Sequence, residues 1–138
     1  MIQYKRQIVK LIVQLRVYRE IFVVKEFITV NIEAGMPTVD VALRRLSGEL
    51  ATARAHRVLV VKLIHGYGST GTGGRIRTAI QKELERLKIK GAIRLWLPGE
   101  NWEIFNRDAI TFLDLCNELR ADRDLGRHNN GISMVLLK

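Results

Sequence analysis

Cysteine is nearly missing from this chain. Cys116 is its one thiol, which excludes an intramolecular disulfide and any zinc cluster built on cysteines. That scarcity fits a reducing compartment, so a cytoplasmic location is expected. Acids are also short: 14 Asp and Glu face 23 Lys and Arg, for a net charge of +9 and a pI of about 10.2. Such a surplus points to nucleic acid, anionic lipid or another acidic partner. A long unbroken apolar run is absent too. Lys10, Arg16, Arg19 and Glu20 interrupt the apolar N-terminal stretch, which argues against a signal peptide and against a bilayer span. No membrane partner is therefore expected. Internal repeats and low-complexity tracts are missing, and His56 and His128 have no metal-ligand spacing, so no metal site is assigned.

What is present suffices for one domain with a real core: 138 residues, 47% of them apolar and 27% charged. The positive charge is unevenly placed. Between Arg54 and Arg94 only Glu83 and Glu85 oppose ten Lys and Arg, whereas after Pro98 acids slightly outnumber bases.

Periodicity predicts a helix over 4–22, where Ile8, Leu11, Ile12, Leu15, Tyr18 and Phe22 recur at helical spacing. Residues 1–25 read as a basic amphipathic helix or arm, a surface for a protein partner. "EFITVNIE" (26–33) alternates as a strand. Thr38 is a plausible N-cap with Asp40 in the first turn, and Val39, Leu43, Leu46 and Leu50 give one apolar helix face to about Ala53. "VLVVKLI" (58–64) is nearly continuous and apolar, as a central, doubly covered strand would be. A helix from about Arg75 to Leu87 turns Ile76, Ile80, Leu84 and Leu87 inward. Gly91 ends it, and "AIRLWLP" (92–98) reads as a strand. A last helix over about 108–119 carries Ala109, Phe112, Cys116 and Leu119. "RHNNG" is a turn and "ISMVLLK" a closing strand. This order predicts an α/β fold, a two-layer sandwich on a four-stranded mixed sheet, with the N-terminal helix in addition.

The stretch "IHGYGSTGTGGRIR" (64–77) lies between the central strand and a helix. Gly-rich turns in that place bind phosphates, because glycine lets the backbone approach and the N–H groups of the helix start attract anions. Arg75 and Arg77 stand in the first helical turn, where acids are usual; a bound phosphate would compensate them. A Walker A loop is excluded, since no Gly-Lys-Ser/Thr follows. "GYGSTG" (66–71) matches G-x-G-x-x-G, but the acid expected about 20 residues on is missing.

"VKLIHGYGSTGTGGRIR" resembles the signature of the Smr (small MutS-related) domain family, in which His-Gly-x-Gly-x-Gly ends a central strand and a Leu-Arg-like pair opens a helix. Here His65, Gly66, Gly68, Gly71 and the pair Ile76-Arg77 take those positions, with extra residues in the loop. "TVNIEAGMPTVDVALRRL" resembles the family's first strand and helix, and "NNGISMVLLK" its closing strand. The resemblance covers about residues 27–138, so the chain divides into the arm, 1–25, and an Smr-like domain, 26–138, with an acidic insertion around 99–125. It implies a standalone member that binds DNA or RNA and, in some relatives, nicks or cuts it. Active members commonly carry Leu-Asp-x-His on the first strand; Val30, Asn31, Ile32 and Glu33 stand there instead. Asn31 cannot act as a base, whereas Glu33 can.

The resulting expectation is a nucleic-acid-binding domain, with endonuclease activity as its cleaving form. Phosphates would be held by Gly66, Tyr67, Gly68, Gly71, Gly73, Gly74, Arg75, Arg77 and Lys62, with Tyr67 stacking on a base. Cleavage would use His65 as base and Glu33 as second base or metal ligand. The sequence specifies no cofactor; Mg2+ is the ion the cleaving form would call for. Each residue has a plainer reading. His65 can be bonded to backbone, Arg75 and Arg77 can be solvated helix charge, and Lys62 can extend along a strand edge. Tyr67, Trp96 and Trp102 can be packing, and Cys116 an inert buried thiol. The alternative function is a non-catalytic module that binds an acidic protein or a ribosomal surface; a nucleotide-binding enzyme using "GYGSTG" is a third.

Overall fold

The computed structural model describes residues 2–21, 25–67 and 73–137. Its elements are α1 (Ile2–Ile21), β1 (Phe27–Asn31), α2 (Val39–Ala55), β2 (Val60–Ile64), α3 (Gly73–Lys90), β3 (Leu95–Pro98), α4 (Arg107–Leu115) and β4 (Ile132–Leu136), with 3-10 turns at Gly99–Asn101 and Asn117–Ala121. The strands form one mixed sheet in the order β1-β2-β4-β3. β1 and β2 run parallel, and β4 is antiparallel to both of its neighbours. The α/β fold on a four-stranded mixed sheet is the one the element order predicts.

Alternation along the strands decides which residue meets which layer. Val61 and Leu63 of β2 and Val135 of β4 point to one face, where Leu46 and Leu50 of α2 and Ile76, Ile80 and Leu84 of α3 cover them. Val60, Met134 and Leu136 point to the other, where α4 supplies Ala109, Phe112 and Leu113, and Trp102, Cys116 and Leu119 complete the core. The unit of α2 and α3 on the sheet is the expected sandwich. The segment around 99–125 adds a layer on the opposite face, and Cys116 is buried there as an apolar side chain.

Local chemistry sets the helix ends. The Thr38 side chain accepts from the Val41 N–H at the start of α2, and Asn106 accepts from Asp108 and Ala109 at the start of α4. At the end of α3, Gly91 has φ +80°; its N–H donates to the Lys88 carbonyl and that of Ala92 to the Leu87 carbonyl. This paired closure satisfies the last carbonyls of α3. It also spends the Ala92 N–H, so β3 begins at Leu95 and not at Ala92. α2 ends the same way: the Arg57 N–H donates to Arg54 and that of Val58 to Ala53. There the left-handed seat that favours glycine holds Arg57, at φ +57°. The last helix is shorter than expected. The backbone turns extended at Cys116 (φ −139°, ψ 93°) and resumes as a 3-10 turn. Cys116 and Leu119 keep their inward spacing across that break, so periodicity alone does not reveal it.

α1 is exposed at every position from Ile2 to Leu15, including Ile8, Leu11 and Ile12. Among the described residues no helix is long and apolar enough to cross a membrane.

Candidate functional site

The parallel pairing of β1 and β2 brings their C-terminal ends together. Asn31 stands opposite Ile64, and the Ile32 N–H donates to the Ile64 carbonyl at 2.8 Å. Glu33 and the His65-Gly66 pair therefore leave the sheet side by side. Gly66 has φ +75°, and the Glu33 carboxylate lies where a side chain on Gly66 would begin. Only glycine fits this seat without strain.

His65 is turned inward and fully buried. A carbonyl can only accept, so His65 Nδ1–H donates to the Gly66 carbonyl at 2.7 Å. In the neutral ring Nε2 then carries no proton and accepts from the Ser133 hydroxyl at 2.8 Å. Burial holds the His65 pKa below the ordinary 6.5; the bond to the Gly66 carbonyl opposes that shift, and the Arg77 cation adds to it. His65 is thus a neutral imidazole with both nitrogens engaged inside the chain. The N–H groups of His65 and Gly66 both donate to the Gly131 carbonyl at 3.0 Å, so they face β4 and its turn.

Arg77 lies above this pair. Its Nη2 donates to both Glu100 oxygens at 3.0 Å, while its Nε is buried without a partner among the described residues. Arg75, one turn edge away, is exposed and forms no ion pair among the described residues. The first turn of α3 holds no acid. Tyr67 is 60% exposed and leans towards Gly131. Gly73 and Gly74 form the start of α3, with the Gly74 carbonyl accepting from Thr78. Gly68 and Gly71 lie outside the described residues.

Lys62 is not brought to this site. Strand alternation turns it to the α4 face, where it is buried and paired with Asp122 at 2.8 Å and with Asp124. Trp102 Nε1–H donates to the second Asp122 oxygen, and Asn129 donates to Asp124. The ring of Trp102 packs edge-on against Phe112, and Trp96 donates to Glu85.

Sequence reading missed Ser133, Glu100, Asp122, Asp124 and Gly131. Ser133 carried a signal, being the one hydroxyl in an apolar closing strand. The acids carried none beyond their charge. As for Mg2+, the donors do not fit it: Glu100 is held by Arg77, and among the described residues no three His, Cys, Asp or Glu converge on one point.

No family model matches the chain, and no curated protein matches it. A solved structure, the Smr domain of Thermus thermophilus MutS2, is similar at 22% identity with a TM-score of 0.48, over 82% of this chain and 98% of that one.

Proposed function

We propose that this protein binds nucleic acid through the phosphate backbone and does not cut it. The observation that carries this reading is the division of charge across the sheet. Residues 39–94, which include α2 and α3, hold eleven Lys and Arg besides the buried Lys62, against four Asp and Glu; from residue 95 onward seven acids meet five bases. A surface so weighted attracts a polyanion through released counterions. Arg75, exposed at the start of α3 with no acid in its turn, is the first phosphate contact, and the exposed Tyr67 is a second candidate contact. The resemblance of the loop to the Smr signature supports the same class of ligand.

The geometry of His65 argues for binding over cleavage. A general base must reach the proton it takes, directly or through one water. The imidazole is buried and its one unprotonated nitrogen is occupied by Ser133. Glu33, at the neighbouring strand end, remains the candidate second group.

The test is fluorescence anisotropy on duplex and single-stranded oligonucleotides across a salt series, with cleavage followed on the same preparation with and without Mg2+. With about four phosphates neutralised, log K falls against log salt with a slope near −3 to −4. Absence of binding at low salt overturns the reading. Cleavage that disappears in His65→Ala overturns its non-cleaving part.

A protein partner is favoured by one observation. α1 leaves Tyr4, Ile8, Leu11 and Leu15 exposed on one stripe, with Lys5, Arg6 and Lys10 beside it. An acidic amphipathic helix is the complement of that surface. Deleting residues 1–24 leaves a folded domain on this reading, which circular dichroism and thermal melting check.

A further inference from the structure

We infer that the bound backbone does not end at the Gly-rich loop but continues along α3 and across the α2–α3 groove to Arg57. This rests on the nucleic-acid reading above and gives the path of the ligand. Arg75, Lys82, Arg86 and Lys90 follow one another at seven, four and four residues, and all four are exposed. At 3.6 residues per turn they stack within about 80° of the helix circumference and extend over about 22 Å. Among the described residues, Arg75, Lys82 and Lys90 form no ion pair, and Arg86 bonds only Glu83 of its own helix.

The stripe meets a groove. Between α2 and α3 lies a hollow of about 420 Å³ lined by Leu43, Leu46 and Leu50, with Arg86, its partner Glu83 and Lys90 on one side and, on the other, Arg54, which donates to the Ala92 carbonyl. On α2 the small, exposed Ser47 also lines the groove. Arg54 and Ala92 also line a second hollow, of about 620 Å³, that reaches Arg57. The positive line is thus continuous from the loop end of α3 to the far end of α2.

Arg57 supplies an independent argument. It occupies the left-handed C-terminal seat of α2 at φ +57°, where glycine is the unstrained residue. An exposed arginine held there at a cost in stability is accounted for if its charge is used. The path also predicts what is read. Among the described residues of α2 and α3 there is no aromatic side chain to stack on a base. Along α2 and α3 recognition is therefore of backbone, indifferent to base sequence, and a duplex serves there as well as a single strand.

The experiment measures anisotropy on a fluorescent 24-base-pair duplex and the matching single strand, for the whole chain and two variants. Lys82→Glu/Lys90→Glu changes two exposed positions far from the loop. Affinity is expected to fall more than about tenfold, and the salt slope to shrink by about 2 as two phosphate contacts are lost. Arg57→Gly is expected to raise the melting temperature while lowering affinity, two changes of opposite benefit that a purely structural role does not produce. Wild-type binding with affinity within about twofold retained in Lys82→Glu/Lys90→Glu overturns the path and leaves the binding reading standing. Arg57→Gly that melts higher and binds like wild type removes the far end of the path. Failure of the wild type to bind either oligonucleotide overturns both readings and is recognised before any variant is made.

Discussion

The two layers that cover the sheet differ in charge and in how they use it. On the α2–α3 side, cations dominate and most point to solvent; on the α4 side, acids dominate and several point inward. Asp122 and Asp124 receive Lys62, which the strand pleat sends to their side, and Glu100 reaches round to Arg77. The acidic layer thus neutralises the cations that come within its reach. On the outer stripe of α3, Arg86 is met by Glu83 of its own helix, and Arg75, Lys82 and Lys90 form no ion pair among the described residues. A net charge alone does not make a binding face; segregating the charge across a sheet does.

The sharpest way to break this contrast is to remove the ion cluster that ties the sheet to the α4 layer. Lys62→Ala leaves two nearly buried carboxylates facing one another without their cation. The side chains of Lys62, Asp122 and Asp124 are only 5%, 7% and 12% exposed. Loss of one partner in such a site costs roughly 3–5 kcal/mol, and a urea titration should show this as a lower midpoint with near-native slope. Nucleic-acid affinity of the folded fraction should remain, because Lys62 does not reach the surface. Lost affinity at unchanged stability would place Lys62 in the binding site after all.

A pH series tests the inner side of the loop. The folded His65 is held below its ordinary pKa of 6.5, by burial first. The unfolded chain therefore takes up the proton first as pH falls. The stability His65 contributes is complete above about pH 6.5 and is lost as pH drops below it, towards the folded pKa. Urea midpoints at pH 7.5 and 5.5 should differ more in wild type than in His65→Asn. Equal differences would mean that the ring is solvated and available.

The smallest expected effect sharpens the boundary between the layers. Glu100→Gln removes the charge that occupies Arg77, both side chains being partly exposed at 37% and 29%. Freed for phosphate, Arg77 should raise duplex affinity by roughly fivefold, about 1 kcal/mol. Arg77→Ala in the same background should abolish that gain. An affinity unchanged by Glu100→Gln would show that Arg77 serves the layer junction alone.

The elements whose positions follow from neighbours in the chain were legible beforehand. Thr38 caps α2, the apolar run over 58–64 is an interior strand, Gly91 closes α3, and Ile76, Ile80 and Leu84 face the sheet. Where expectation and structure part at the start of β3 and the end of α4, local backbone geometry intervened. The Ala92 N–H was taken by Leu87, shortening β3, and the chain left the helix at Cys116. The nearness of Glu33 to the loop was legible only through the resemblance, and it depends on the parallel register of β1 and β2.

The basic balance, the period of each element and the Gly-rich break between β2 and α3 can all be read along the chain. Each of these is a property of composition or of residues a few positions apart, where propensity, capping and periodicity act. What the polar side chains do follows from the folded arrangement. Lys62 meets Asp122 across 60 residues, His65 meets Ser133 across 68, and Arg77 meets Glu100 across 23. Strand order and pleat choose those partners, because a side chain's face and neighbours exist only once the sheet has formed. A lysine and two arginines that look alike in the chain as phosphate ligands, and a histidine that reads as a base, are separated in this way. Lys62 is a buried ion, His65 a neutral inward-bonded ring and Arg77 half of an ion pair, while Arg75 alone remains an exposed cation.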